Sequence, residues 1–502
     1  MTRRCYITVS IPYVNAEPHL GYALELVEAD ALARFHRQSG DEVRLLGGTD
    51  DHALKNVLAA EAAGVATSVL VDGNAHRFQQ LGPDLGVAFD DFIRTSTDPR
   101  HRPGVERLWR KTAERGDLYR RRYEGDYCVG CEQFYAPADL VDGRCPEHET
   151  PTEWVAEDNW FFRLSRYQAD LEDLLADGRL RIEPAAYASE ALAFVRAGLD
   201  DISVSRSRTR ARGWGIPVPD DDGQVVYVWW DALGNYVTAL DYGAGDGADA
   251  YRYWWLEADE RIHVIGKGIL RFHAVYWPAL LLSAGEPLLT AIFVHPYLTV
   301  EGRKISKSAG NGVDPVAVAA RYGVDALRWW LLADVPRAAD ADFTGARLVD
   351  RFDDDLANGL GNLASRVTGM LHRFRSGRPP QPLPAAPAVP SEAPVRSEVA
   401  AAYDRFDLRG VTLVVRRLVE EANRHIESTT PWVLARRERA GDASAGHELD
   451  AVLGAFVATL HDLRWLVEPL LPDVAARLSE ALLPGPDGAL PPSRPLLPRL
   501  GE

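Results

Sequence analysis

Residues 5–40 read CYITVSIPYVNAEPHLGYALELVEADALARFHRQSG. The first seven alternate and are rich in isoleucine and valine, the composition of a buried strand. A loop, PYVNAEPH, follows over 12–19. From Leu20 the apolar residues recur at helical spacing until Gly40 ends the run. A second short strand, VRLLGGTDDH at 43–52, closes on a polar cluster, and two helical segments continue to about Leu81. Strand, loop, helix, strand is the building unit of a doubly wound parallel sheet, which takes its ligands at the strand ends.

The pattern breaks near residue 116. YCVGCEQFYAPADLVDGRCPEH at 127–148 is short-stranded and turn-rich and reads as part of an insertion running to about 225. The α/β pattern returns with VVYVWWDALGNYV at 225–237, RIHVIGKGI at 261–269 and AIFVH at 291–295. From about 315 the chain is largely helical, beginning with a helix over DPVAVAARYGVDALRWW. A Pro/Ala-rich linker covers 376–394. Beyond it, Val411, Val414, Val415, Leu418, Val419, Ala422 and Ile426 mark one helix face. The final stretch, 484–502, reads as a loosely ordered tail.

A chain of 502 residues is too long for one core. Its net charge of −17 argues against nucleic-acid binding over the whole surface but permits a local basic groove. No apolar run reaches membrane-spanning length, and the N-terminus has no signal-peptide pattern, so a cytoplasmic protein that does not enter membranes is expected. Four cysteines do not make a disulfide scaffold. Cys5, inside the first strand, reads as a small core residue.

Three motifs carry chemistry. PHLGY at 18–22 lies where strand passes into helix, and a helix N-terminus offers unpaired N–H groups and a positive dipole end to phosphate. Gly21 lets a ligand approach the backbone. By itself, a histidine such as His19 is more often an ordinary surface or core residue. EGRKISKSAGN at 301–311 places Lys304 and Lys307 three apart in a serine- and glycine-flanked loop, suited to polyphosphate; a solvated basic loop is the alternative. Cys128-x-x-Cys131, thirteen residues, then Cys145-x-x-His148 has the spacing of a tetrahedral zinc site. Four protein ligands close such a site, so the zinc is expected to be structural.

HLGY and KISKS together resemble the paired signatures of class I aminoacyl-tRNA synthetases. IPYVNAEPHLG, GTDDH, YCVGCEQFY, VVYVWWDALGNYV, IGKGILRFHAVYWPA and YGVDALRWWLL narrow the resemblance to the methionyl-tRNA synthetase family, over roughly residues 5–480. The zinc knuckle resembles that of one branch. The C-terminal dimerisation extension of larger members has no counterpart, which favours a monomer.

The resemblance implies a Rossmann-like catalytic domain in two halves, 1–115 and 226–300, around an inserted α+β connective domain at 116–225 with its knuckle at 126–150. It further implies a KISKS and stem-contact region at 301–345, a helical anticodon-binding bundle at 346–480 and a tail at 481–502. The implied reaction is ATP-dependent attachment of L-methionine to tRNA(Met) through methionyl-adenylate, with Mg²⁺ accompanying ATP. His19, Lys304 and Lys307 would be catalytic, and Gly21, Tyr22, Gly266 and Ser306 would join them in binding ATP. Asp50 would pair with the substrate ammonium. Ile11, Tyr13, Trp229, Ala232, Tyr236 and His273 would line the thioether pocket. Asn362, Arg366 and Trp432 would read the anticodon. Taken without the resemblance, Asp50 is a loop aspartate capping a helix, and each aromatic residue is core packing.

Three positions depart from the family pattern: Tyr22 stands where a second histidine is usual, Gly268 where an acid is usual, and Ala53 where glycine is usual. They keep two alternatives open. One is an enzyme of the same fold that makes an aminoacyl-adenylate for a specialised pathway or charges tRNA with a methionine analogue. The other is a tRNA-binding paralogue with weakened catalysis.

Overall fold

The computed structural model describes residues 2–129, 133–135, 137–146, 149–304, 312–380 and 394–501. The chain forms two compact units. One comprises Met1–Ala29, Ser39–Pro83 and Val87–His295; the other comprises Asp30–Gln38, Asp84–Gly86 and Pro296–Glu502.

The first unit is built on a six-stranded, all-parallel sheet. Its spatial order is Asp91–Arg94, Glu42–Thr49, Arg4–Val9, Glu260–Gly266, Ala291–His295, Arg181–Glu183. Residues 5–9 and 291–295 are buried along their whole length, as expected of strands covered on both faces. Ile7 is paired with Leu45 on one side and Ile262 on the other. Strand order reverses direction at Arg4–Val9, and the crevice beyond that point is where doubly wound sheets bind ligands. The edge strand Arg181–Glu183 comes from within the stretch read as an insertion. Three residues are too short a signal to separate from the turns around them.

The rest of that stretch combines an antiparallel ribbon with the helices Gln168–Ala176 and Ala185–Arg196 and a small three-stranded sheet. Leu118–Cys128 pairs with Glu153–Phe162 over ten residue pairs, flanked by Gln133–Tyr135 and Ile202–Ser203. Close packing limits side chains elsewhere: a Cβ on Gly48 would lie 2.5 Å from the carbonyl oxygen of Ile93.

The second unit is mainly helical. Leu408–Thr429 buries Val411, Val414, Val415, Val419, Ala422 and Ile426, while Leu418 is only half-buried. The helix expected over 314–330 is two, Pro315–Tyr322 and Val324–Ala333, because Gly323 takes φ 94° between them. Arg328 is fully buried; it pairs with Asp30 at 2.7 Å and donates to the carbonyls of Leu470 and Leu85. The C-terminal stretch is packed rather than loose: Leu490 and Leu497 are buried, and the Leu490 N–H donates to the Gly377 carbonyl at 2.9 Å. Proline removes helix and ladder options there without preventing apolar burial. Among the described residues no single helix is long and apolar enough to cross a membrane.

Candidate active site and nucleic-acid contacts

The loops leaving the first two strands are joined. The Asp50 N–H donates to the Pro12 carbonyl at 2.9 Å, forming a parallel bridge between Tyr13 and Asp50. The Tyr13 ring lies 6.3 Å from that of Trp229, which stacks on Phe272 at 3.7 Å. Helix Val228–Thr238 supplies Trp229, Ala232 and Tyr236, and the turn Phe272–Tyr276 supplies His273. A Cβ on Gly48 would also lie 2.9 Å from Ile11 Cγ2, which places Ile11 against the second strand.

The hydrogen bonds fix the charge of this wall. His273 Nδ1 faces the Ile269 carbonyl at 3.0 Å, so it carries the proton and Nε2 accepts from the Tyr236 hydroxyl at 2.8 Å. Burial pushes His273 down to about 4. Behind it, Trp277 Nε1–H donates to His263 Nε2 at 3.2 Å, leaving Nδ1–H to donate to Thr8 Oγ1 at 2.7 Å. Burial holds His263 well below its ordinary value too, assisted by His273. Both imidazoles are neutral at pH 7, and the wall is aromatic and uncharged.

The three polar residues after the second strand have separate environments. Asp51 accepts from Thr49 Oγ1 at 2.8 Å, Ser96 Oγ at 2.5 Å and Arg94 Nε and Nη2 at 3.1 and 3.0 Å. That carboxylate is a structural tie. His52 Nδ1 donates to buried Asp231 at 2.6 Å, and His101 contacts the other oxygen of Asp231. Burial works against the charge on both His52 and Asp231, but their mutual attraction prevails: His52 is raised and Asp231 lowered. Asp50 accepts the His52 N–H at 3.2 Å and does not cap the helix Leu54–Ala63, whose start at Ala53 has no side-chain cap. Sequence reasoning missed the His52–Asp231–His101 group; a histidine directly after two aspartates was its one local signal.

His19 precedes the helix Leu20–Gln38, and its Nδ1 accepts the Gly21 N–H at 3.1 Å. In the neutral ring the proton is therefore on Nε2, a donor suited to an oxyanion. The space beside Gly21 holds the His19 ring itself, 3.1 Å from where a Cβ would stand. Tyr22 turns inward. Its ring meets Phe78 edge-on at 5.4 Å, and its buried hydroxyl has no hydrogen-bond partner among the described residues. Gly266 ends its strand beside His295, whose Nε2 lies 3.0 Å from Glu25 Oε2; Glu25 also accepts from the N–H and hydroxyl of Ser10, each at 2.6 Å. Burial, with Glu25 adding to it, pushes neighbouring Glu28 up to about 8.

Cys128 and Cys145 are buried in one small cluster with Tyr135, the Cys145 Sγ lying 3.6 Å from the tyrosine hydroxyl. Two buried thiols converging at the end of a β-ribbon fit half of a zinc ligand set. Cys131 and His148 lie outside the described residues, as do Ser306 and Lys307. Lys304 ends the short strand Arg303–Lys304, paired with Thr299.

In the second unit, Asn362 and Arg366 sit on the helix Asn362–Arg375. Arg366 donates to Asn423 Oδ1 at 2.9 Å and pairs with Glu427. Trp432, 40% exposed, follows Pro431 at a helix start. Asn423 and Glu427, four residues apart on one helix, were not singled out from the sequence.

A family profile described as "tRNA synthetases class I (M)" matches residues 5–152 and 147–368. The methionine–tRNA ligase of Caldanaerobacter subterraneus subsp. tengcongensis is 38% identical over 492 residues, covering 96% of this chain and 74% of the relative. That of Brucella suis is 39% identical over 486 residues, covering 95% of this chain and 91% of the relative. The solved Mycobacterium tuberculosis methionyl-tRNA synthetase in complex with methionyl-adenylate superposes with a TM-score of 0.89 at 36% identity, covering 99% of this chain and 100% of that one. The chain belongs to the methionyl-tRNA synthetase family of class I tRNA synthetases.

Proposed function

We propose that this chain activates L-methionine with ATP and transfers the methionyl group to tRNA(Met). The methionine carboxylate attacks the α-phosphorus of ATP, the bond to the β-phosphate oxygen breaks, and pyrophosphate leaves. The terminal ribose hydroxyl of tRNA then attacks the acyl carbon, releasing AMP. One observation carries the reading. The Tyr13–Asp50 bridge joins a carboxylate to a wall of uncharged aromatic rings, complementary to an ammonium on one side and an apolar thioether on the other.

Asp50 pairs with the ammonium. Ile11, Tyr13, Trp229, Ala232, Tyr236 and His273 enclose the side chain. His19 Nε2–H donates to a phosphate oxygen, with Gly21 and Gly266 lining the nucleotide's path. For Lys304, Ser306 and Lys307 the motif alone supports a role on the departing pyrophosphate. Mg²⁺, accompanying ATP, would neutralise phosphate charge. Cys128, Cys131, Cys145 and His148 would hold a structural zinc. Asn362, Arg366 and Trp432 would contact the anticodon, the tryptophan by stacking.

The test is methionine-dependent ATP–pyrophosphate exchange, followed by charging of tRNA with and without a CAU anticodon. Exchange with methionine and charging that requires CAU are expected. Absence of exchange with any amino acid, tRNA binding being retained, would leave a non-catalytic binding protein instead.

A further inference from the structure

Asp231 is fully buried, and the chemistry proposed above does not use it. It stands in the first turn of the helix Val228–Thr238, between Trp229 and Ala232, with Tyr236 one turn further on. A carboxylate there adds no apolar packing and is tolerated because two imidazoles meet it. His52 Nδ1 donates to one oxygen at 2.6 Å, and His101 donates to the other through Nε2. His101 is itself buried, at the start of the helix His101–Glu114, and its Nδ1 lies 2.7 Å from Thr238 Oγ1. The helix that carries the aromatic wall is therefore gripped in its first turn, at Asp231, and at its last residue, Thr238.

His52 carries the other end of this tie. It follows Asp50 and Asp51 in the loop leaving the second strand. The main chain of that loop is held by the Asp50 N–H on the Pro12 carbonyl at 2.9 Å, by the Asp51 N–H on Thr95 Oγ1 at 2.9 Å, and by Asn56 Nδ2, which donates to the carbonyls of Asp50 and Asp51 at 3.0 and 2.9 Å. None of these bonds reaches the helix Val228–Thr238; the His52 side chain does. The His52 N–H also donates to Asp50 Oδ1 at 3.2 Å, so one residue touches both the carboxylate assigned to the substrate ammonium and the helix assigned to its side chain. Burial opposes the charge on His52, but the attraction and hydrogen bond of Asp231 outweigh it, which favours an ion pair over a neutral contact. A buried pair of this kind holds one geometry, since moving either partner leaves the other charge unpaired.

We infer that His52 and Asp231 are positioning residues for the amino acid: their pairing sets the Asp50 carboxylate and the helix face of Trp229, Ala232 and Tyr236 at the separation that methionine spans. The inference rests on the proposed function for the identity of the substrate. The two residues act through Asp50 and the helix rather than on the reacting atoms. Their contribution is to methionine affinity, separate from ATP binding and from the chemical step.

The test compares His52→Asn, Asp231→Asn and the double variant in the full chain, by methionine-dependent exchange and by titration of methionine against tryptophan emission. Both substitutions keep a polar group at the paired position and remove the charge, and urea midpoints report folding. Each single variant is expected to raise the KM and Kd for methionine about tenfold, while the KM for ATP and kcat at saturating methionine stay within about threefold. The double variant, in which one amide can donate to the other, is expected to bind methionine no more weakly than either single, because the two residues act as a pair. A methionine KM within about twofold of the unmodified chain in both singles would overturn the inference. So would single effects that multiply in the double variant, toward about a hundredfold, since independent sites behave that way. Equal losses in methionine affinity, ATP affinity and kcat would also overturn it, marking a general loosening of the fold. Should Asp231→Asn lose its cooperative urea transition, His52→Asn decides alone, by the same methionine-specific rise or its absence. Failure of the proposed function looks different: the unmodified chain would show neither exchange nor a methionine titration.

Discussion

The Tyr236 hydroxyl donates to Nε2 of His273 across 2.8 Å, and the Ile269 carbonyl accepts from the N–H of the other ring nitrogen. With both nitrogens committed, His273 contributes no charge to the wall it shares with Trp229, which is the property an apolar side chain requires.

Burial of His273 makes stability depend on pH. His273 is held at about 4 against an ordinary 6.5, so between these values the unfolded chain binds the proton and the native chain does not. Its stabilising contribution is complete above pH 6.5 and lost as pH falls toward 4, at most on the order of 3 kcal/mol. Urea midpoints at pH 7.5 and 4.5 should show the loss, and His273→Gln should shrink the difference.

The Tyr22 side chain turns inward and packs edge-on against Phe78. Its hydroxyl is buried and without a partner among the described residues, a cost of about 1–3 kcal/mol. Tyr22→Phe is expected to raise the thermal midpoint and to leave the exchange rate within about twofold. A fall in rate of tenfold or more would show that the hydroxyl swings to the nucleotide.

Neighbouring aspartates should separate cleanly. Asp51→Asn breaks a buried pair with Arg94 and should destabilise by about 3 kcal/mol, read as a lower denaturation midpoint. Asp50→Asn should barely change that midpoint but lower kcat/KM for methionine in exchange about a hundredfold, the loss of a charge-assisted contact.

Chelation should release one zinc per chain and raise amide exchange in residues 126–150 while the parallel sheet stays protected. Cys128→Ser and Cys145→Ser should both reduce bound metal, measured by elemental analysis. Zinc-free chain with full protection of that segment would remove the metal from the account.

Local signals explain what was readable beforehand. The strand–helix–strand start at residues 5–52 was legible because β-branched alternation, a helical apolar stripe and a glycine stop all agree. What escaped depends on partners far away in the chain. The edge strand Arg181–Glu183 is defined by pairing with Ala291–Phe293. The His52–Asp231–His101 group joins residues 179 and 130 positions apart. The break at Gly323 was hidden because apolar spacing continued through it, although glycine alone among the residues takes φ 94° cheaply. Gly21 was read as leaving room for a ligand, yet the nearer occupant is the ring two residues before it.

The bond from the Asp50 amide to the Pro12 carbonyl has one more consequence. It ties the loop that carries the carboxylate to the loop that carries the Tyr13 ring through the main chain, just beyond the ends of two neighbouring strands. Sliding the two loops past each other would have to break that bond. On the proposed binding mode, a longer or shorter amino acid would be accommodated by trading side chains at the far wall, with the carboxylate left in place.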